Sequence, residues 1–367
     1  MNKLKELAKL GQSVWLDFIS RKLLTSGDLT KLIDDGLRGM TSNPTIFDKA
    51  ISKSNDYDED IKRLVSDDFT VDEIYERLTL KDIGMAADEM KKVYDQTKGY
   101  DGYVSIEVNP VLANNTKETI SQAKHLFKEL GRPNIMIKIP GTNEGLPAIT
   151  EVLGSGINVN VTLIFSTDSY KKVVEAFVAG LEKFDKAGGD LSKVASVASF
   201  FVSRVDTAVD KELESKGNKD LLGKIAVANS KIAFEISEQI FNSERWKKLS
   251  AKGARKQRLL WASTGTKNPA YSDILYIDEL IGPDTVNTMP PDTIKAFVDH
   301  GKLELTLNKG IDEAKSQLKK LKDLGIDFNK ITNKLLVDGV KLFSNSFESL
   351  IGSLDEKIKK IKQEVDV

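Results

Sequence analysis

The chain has 367 residues, with 54 Lys and Arg against 55 Asp and Glu and a formal net charge of −1. That balance gives no global field for nucleic acid or an anionic membrane surface, and no apolar run approaches the ~18 residues of a membrane span. With no cysteine there is no disulfide framework, thiol nucleophile or cysteine-ligated zinc. The opening MNKLKELAKLGQSVWLDF is charged and helical in pattern and lacks the apolar core of a signal peptide. The expectation is a soluble cytoplasmic protein that binds neither nucleic acid nor membrane.

Eight short apolar runs read as strands: VWLDF (14–18), LRGMTSN (37–43), YVSIEV (103–108), NIMIKIP (134–140), NVNVTLIF (158–165), VASVASFFV (194–202), RLLWAST (258–264) and TVNTMP (285–290). Most are apolar almost throughout, as parallel strands covered on both faces are. Helical patterns fill the gaps. After the third run, Asn115 and Glu118 have capping-box spacing, Ile120, Ala123, Phe127 and Leu130 follow at helical intervals, and Gly131 and Pro133 stop the pattern. After the fifth, Ser166 is a cap candidate ahead of a stripe from Val173 to Phe184. The fold class is α/β. Eight units in about 300 residues fit a (β/α)8 barrel, with a doubly wound sheet as the alternative. Residues 50–100 and the lysine-rich tail from about 310 to 367 add helices beyond the minimal pattern. The reading is one domain over 1–367, with the tail packed on the barrel.

Chemistry in a barrel belongs at the carboxyl ends of the strands. There the runs carry Asp17; Thr41, Ser42 and Asn43; Glu107 and Asn109; Lys138; Asn160 and Thr162; Ser199, Ser203 and Arg204; Ser263 and Thr264. Each has a bland reading. Asn43 precedes a proline and suits a turn, Arg204 and Asp206 suit a surface pair, and a lysine can bury its stem and extend its ammonium to water. Together they resist it, because buried polar groups are costly unless paired. Lys138 sits in the apolar stretch IMIKIP (135–140). Burial disfavours the charged form of such an amine, and a free amine can attack a carbonyl to form a Schiff base. Two carboxylates and one amine on strands one, three and four can converge only at the barrel mouth.

Other motifs fail. GSGINV (154–159) has Val159 where a dinucleotide fingerprint needs glycine. Asp56, Asp58 and Asp60 have calcium-loop spacing, but Ile61 replaces the required glycine. His125 and His300 lie far apart, so no metal site is expected. KGARKQR (252–258) reads as a solvated approach to the seventh strand.

Two stretches, GMTSNPTIF (39–47) and IMIKIPGTNEGLPAI (135–149), resemble the two signatures of the transaldolase family. NVTLIFS (160–166), ASFFVSRVD (198–206) and WASTGTKNP (261–269) are similar to further family segments, and DGVKLFSNSFESLIGSL (338–354) looks like its longer bacterial branch. The resemblance implies a (β/α)8 barrel that moves a dihydroxyacetone unit from sedoheptulose 7-phosphate or fructose 6-phosphate to glyceraldehyde 3-phosphate or erythrose 4-phosphate. The setting implied is the pentose phosphate pathway, with sugar phosphates as partners and no cofactor. It assigns Lys138 as the Schiff-base nucleophile, Glu107 as the acid/base that works through water and Asp17 as acceptor of the C4-hydroxyl proton. Thr41, Asn43, Asn160, Thr162 and Ser199 orient hydroxyls and water, Phe201 is an aromatic wall and Arg204 binds phosphate. Many members carry a second arginine just after strand seven. Here Gly265 holds that place, leaving Lys267, Ser263 or backbone N–H groups as substitutes. The alternative is a fructose-6-phosphate aldolase of the same superfamily; such aldolases resemble this chain with glutamine at Glu107 and tyrosine at Phe201. A monomer or homodimer is expected.

Overall fold

A computed structural model describes residues 2–365. All eight apolar runs become strands, within two residues of the expected ends: β1 Gln12–Asp17, β2 Gly39–Thr41, β3 Tyr103–Glu107, β4 Ile135–Pro140, β5 Val159–Ile164, β6 Ser196–Phe201, β7 Arg258–Ala262 and β8 Thr285–Met289. They pair in parallel, in chain order, and β8 closes on β1. This is the (β/α)8 barrel; the doubly wound alternative is excluded.

The shortest strand, β2, has a local cause at each end. A Cβ on Gly39 would lie 2.5 Å from the Trp15 ring, so only glycine lets β2 approach β1 there. At the other end Asn43 is extended ahead of Pro44, and its side chain accepts from Ile46 N–H to cap the helix Pro44–Ser52. Asn115 likewise caps Thr116–Leu130 and Ser166 caps Thr167–Lys186. The capping box expected at Asn115 is only half formed, because its backbone N–H donates to the Leu112 carbonyl instead. The full box forms at Thr70 and Glu73, opening the helix Val71–Gln96.

The amino-terminal floor of the barrel corrects the reading of residues 252–258. Arg258 is buried, donating to Asp101 at 2.7 Å and to Ser13 at 2.9 Å, and Arg255 donates to the Lys98 and Gly99 carbonyls. Their planar forks satisfy the buried Asp101 carboxylate and two loop carbonyls. Two of the three calcium-spaced aspartates are spent similarly: Asp60 pairs with Arg21 and Lys81, and Asp58 with Lys357. Arg21 also grips fully buried Asp82 at 2.6 Å, with the Tyr57 hydroxyl on the other carboxylate oxygen at 2.7 Å. Burial pushes the Asp82 carboxyl up, and Tyr57 and Arg21 oppose it. Arg21→Met leaves that carboxylate without its cation and is expected to cost about 3–5 kcal/mol, read as a lower urea midpoint at unchanged m-value.

The tail forms two helices, Ile311–Asp323 and Phe328–Val365. The first packs on the helix Ile225–Phe241. The second packs on Pro44–Ser52 after β2, on Ser203–Ser215 after β6 and on β5 itself. It therefore runs across the carboxyl mouth of the barrel, where the sequence reading placed the tail only somewhere on its outside.

Candidate active site

Strand register builds the site. Asp17 on β1 lies beside Thr41 on β2, Glu107 on β3 beside Lys138 on β4, and Lys138 beside Asn160 on β5. The Lys138 Nζ donates to the Ser42 carbonyl at 3.1 Å and stands 3.7 Å from Glu107 Oε2. The two side chains are only 6 % and 5 % exposed. At 3.7 Å the contact is ionic rather than a hydrogen bond, and Glu107 Oε2 has no hydrogen-bond partner. Burial lifts the Glu107 carboxyl to about 7; the Lys138 ammonium opposes the shift and the Asp17 carboxylate adds to it. A carboxyl there is acid and base in comparable amounts at neutral pH.

Two hydroxyls orient Asp17. Thr41 Oγ1 donates to Asp17 Oδ1 at 2.7 Å and lies 2.7 Å from Thr288 Oγ1 on β8. One hydroxyl has one proton, so Thr288 is the donor to Thr41. On the other side, Asn160 accepts from Ser199 at 2.7 Å and donates to Ser105 at 3.1 Å, which uses one of its two amide N–H groups. Thr162, two residues on and on the same face, is buried with an unpartnered hydroxyl.

Arg204 lies at the start of Ser203–Ser215, half-buried, and hydrogen-bonds no carboxylate among the described residues. Its guanidinium carbon sits 5.4 Å from the Phe201 ring centroid and 5.9 Å from that of Phe343. Burial pulls its pKa below the usual value, with the Asp17 carboxylate partly offsetting this. Phe201 is buried on Phe165, centroids 5.1 Å apart. Ser263 has φ +56° and its hydroxyl lies 3.0 Å from that of Ser203. Lys267 is exposed and makes no hydrogen bond or ion pair among the described residues, so nothing aims it at the mouth. Asp206 is no surface partner of Arg204: it is buried and accepts from Ala226 N–H and the Tyr276 hydroxyl. Asn43 accepts the helix-cap bond on its carbonyl oxygen, which leaves its amide donors and one lone pair of that oxygen.

The family model described as Transaldolase/Fructose-6-phosphate aldolase matches residues 14–354. The chain belongs to that family. It is 49 % identical over 374 aligned residues to a protein named Transaldolase from Trichodesmium erythraeum, covering 98 % of each chain. It is 46 % identical to a Transaldolase 2 from Nostoc sp. and 47 % identical to a Transaldolase 2 from Streptomyces avermitilis, again covering 98 % of each chain. These relatives carry the transferase name, so the chain is an enzyme of the transaldolase kind; a free-standing aldolase is the less supported reading. No helix among the described residues is long and apolar enough to cross a membrane.

Against this transaldolase frame, three neighbours of the site escaped the sequence reading. Ser105 and Thr288 sit inside runs read only as strands, and only the register shows that they meet Asn160 and Thr41. Phe343 lies in the tail helix, with its ring centroid 5.8 Å from Lys138 Nζ.

Proposed function

We propose that the chain transfers a dihydroxyacetone unit from a ketose phosphate to an aldose phosphate through a Schiff base on Lys138. The observation that carries the reading is a buried amine 3.7 Å from a buried carboxyl whose pKa is lifted to about 7, with a hydroxyl-oriented carboxylate, Asp17, in the same mouth. The neutral Lys138 amine attacks the ketose C2 carbonyl. Glu107 gives a proton to the carbinolamine hydroxyl, which leaves as water, and the iminium forms. Asp17 takes the C4-hydroxyl proton while the C3–C4 bond breaks and the aldose phosphate departs. The bonding pair stays on C3, delocalised into the iminium as an enamine. That iminium is the electron sink, so these steps draw on no metal or organic cofactor. An incoming aldehyde accepts the C3 pair, its oxygen takes the proton back from Asp17, and water with Glu107 as base frees the new ketose. Thr41 and Thr288 hold Asp17, while Asn160, Ser199 and Thr162 serve the water beside Glu107. The substrates proposed are sedoheptulose 7-phosphate or fructose 6-phosphate as donor, with the enzyme working in the cytoplasm as monomer or homodimer.

Arg204 is the phosphate ligand: it hydrogen-bonds no carboxylate among the described residues, lies 5.4 Å and 5.9 Å from two aromatic ring centroids and is fork-shaped. Arg204→Ala is expected to raise KM roughly 10- to 100-fold with kcat little changed, the signature of lost uniform binding. Steady-state kinetics with fructose 6-phosphate read it directly, and a collapse of kcat at constant KM contradicts the role. If Lys267→Ala raises KM more than Arg204→Ala does, the anchor lies after β7 instead. The function itself is tested by coupled assays with and without erythrose 4-phosphate. Turnover that depends on the aldehyde is expected; equal rates without it would make the chain an aldolase.

A further inference from the structure

The helix Phe328–Val365 turns one face into the mouth through Gly339, Phe343, Ser346 and Phe347, spaced at helical intervals. It is seated on both sides of the site. On the β5 side, Leu163 sits in a register break of the strand with φ +60°, a costly conformation for a leucine. That turn brings its side chain against Gly339, where an added Cβ would lie 3.0 Å from Leu163 Cδ2. On the β2 side, Thr45 Oγ1 donates to Ser346 Oγ at 2.8 Å, and Phe347 packs edge-on against Tyr75 with centroids 5.3 Å apart. Between these two seats Phe343 is 5 % exposed, 5.8 Å from Lys138 Nζ and 5.9 Å from the Arg204 guanidinium.

We propose that Phe343 is a specificity-determining residue: its ring covers Lys138 beside Arg204 and keeps bulk water from protonating C3 of the three-carbon intermediate, so that the intermediate waits for an aldehyde. The inference rests on the Schiff-base reading above. The iminium nitrogen keeps the place of the Lys138 amine, so its positive charge forms within the ~6 Å over which a ring face attracts a cation. When C3–C4 breaks, that charge is lost and a neutral enamine remains. Release to water then needs two events: a proton on C3, and addition of water to C2 of the iminium so regenerated, which expels dihydroxyacetone and returns the lysine amine. Phe343 offers no proton for C3, and its ring fills a side of Lys138 from which bulk water could supply one, while the water beside Glu107 that hydrolyses each iminium stays in place. Phe201 is a second ring near Arg204, 5.4 Å from its guanidinium carbon, so two aromatic rings neighbour the group that holds the phosphate.

The test uses the full chain with Phe343→Ala and Phe343→Leu, fructose 6-phosphate as donor and erythrose 4-phosphate as acceptor. Phe343→Ala opens the cover, and the ratio of free dihydroxyacetone released to units transferred is expected to rise about tenfold or more. Borohydride should still trap the three-carbon unit on Lys138 in that variant. Phe343→Leu keeps the plug but loses the ring face, so the ratio stays near the parent's while KM for the donor rises about threefold or more. A Phe343→Ala enzyme that traps normally yet keeps the parent ratio overturns the proposal. Should Phe343→Ala fail to fold, Phe343→Leu decides: an unchanged KM overturns it and a raised one supports it. If the parent itself traps no unit on Lys138, the Schiff-base reading fails, and that result is separate from either variant's.

Discussion

Lys138→Met is expected to lower kcat by roughly 10⁴- to 10⁶-fold, because the covalent route is lost and no other residue replaces the amine. Methionine keeps a linear side chain in the same volume, so packing between β4 and its neighbours should survive. Glu107 loses its cation and answers by holding its proton more tightly, which removes the penalty of an unpaired buried charge. Circular dichroism should therefore report a folded barrel. A well-folded variant with more than about a hundredth of the parent rate would show that Lys138 supplies placement and not a bond.

Glu107→Gln is expected to cost about 10²- to 10⁴-fold in kcat, the usual worth of a positioned acid/base. The side chain stays the same size and loses the exchangeable proton. The parent's rate should bend near pH 7, where the buried carboxyl changes form, and the variant should lack that bend. Stability moves the other way. Folding raises this carboxyl from its ordinary value of about 4.3 to about 7. Between these values the folded chain holds a proton that the unfolded chain gives up, so stability falls as pH rises through that window. Glutamine has no such term. The variant should therefore melt higher than the parent at pH 8, and the advantage should vanish near pH 4. A bend near pH 7 that persists in Glu107→Gln assigns the titration to another group.

Much of this site was readable along the chain because each strand carries its own polar exception. Lys138 in IMIKIP and Glu107 at the end of YVSIE stand out against apolar neighbours, and parallel register then makes them adjacent. Strand limits were readable for the same reason: the runs are apolar where both faces are covered. What could not be read belongs to tertiary placement. The stripe through Phe343 announces a helix with a buried face, but periodicity does not say that the face covers an active site. Thr288 is one β-branched residue among others in β8 until closure of the barrel sets it beside Thr41. Arg258 was misread because a basic run near a strand is usually solvated, whereas here Asp101 and Ser13 receive it on the barrel floor. Gly265 is similar in kind: a Cβ there would meet Thr293 Oγ1 at 3.3 Å, so a side chain fits only where that hydroxyl yields by a few tenths of an ångström.

The most direct test is to incubate the enzyme with fructose 6-phosphate, reduce with borohydride, and locate the modified peptide by mass spectrometry. A single reduced three-carbon adduct on Lys138 is predicted, with no adduct in Lys138→Met. An adduct on any other lysine, or none on an active parent, would contradict the Schiff-base account.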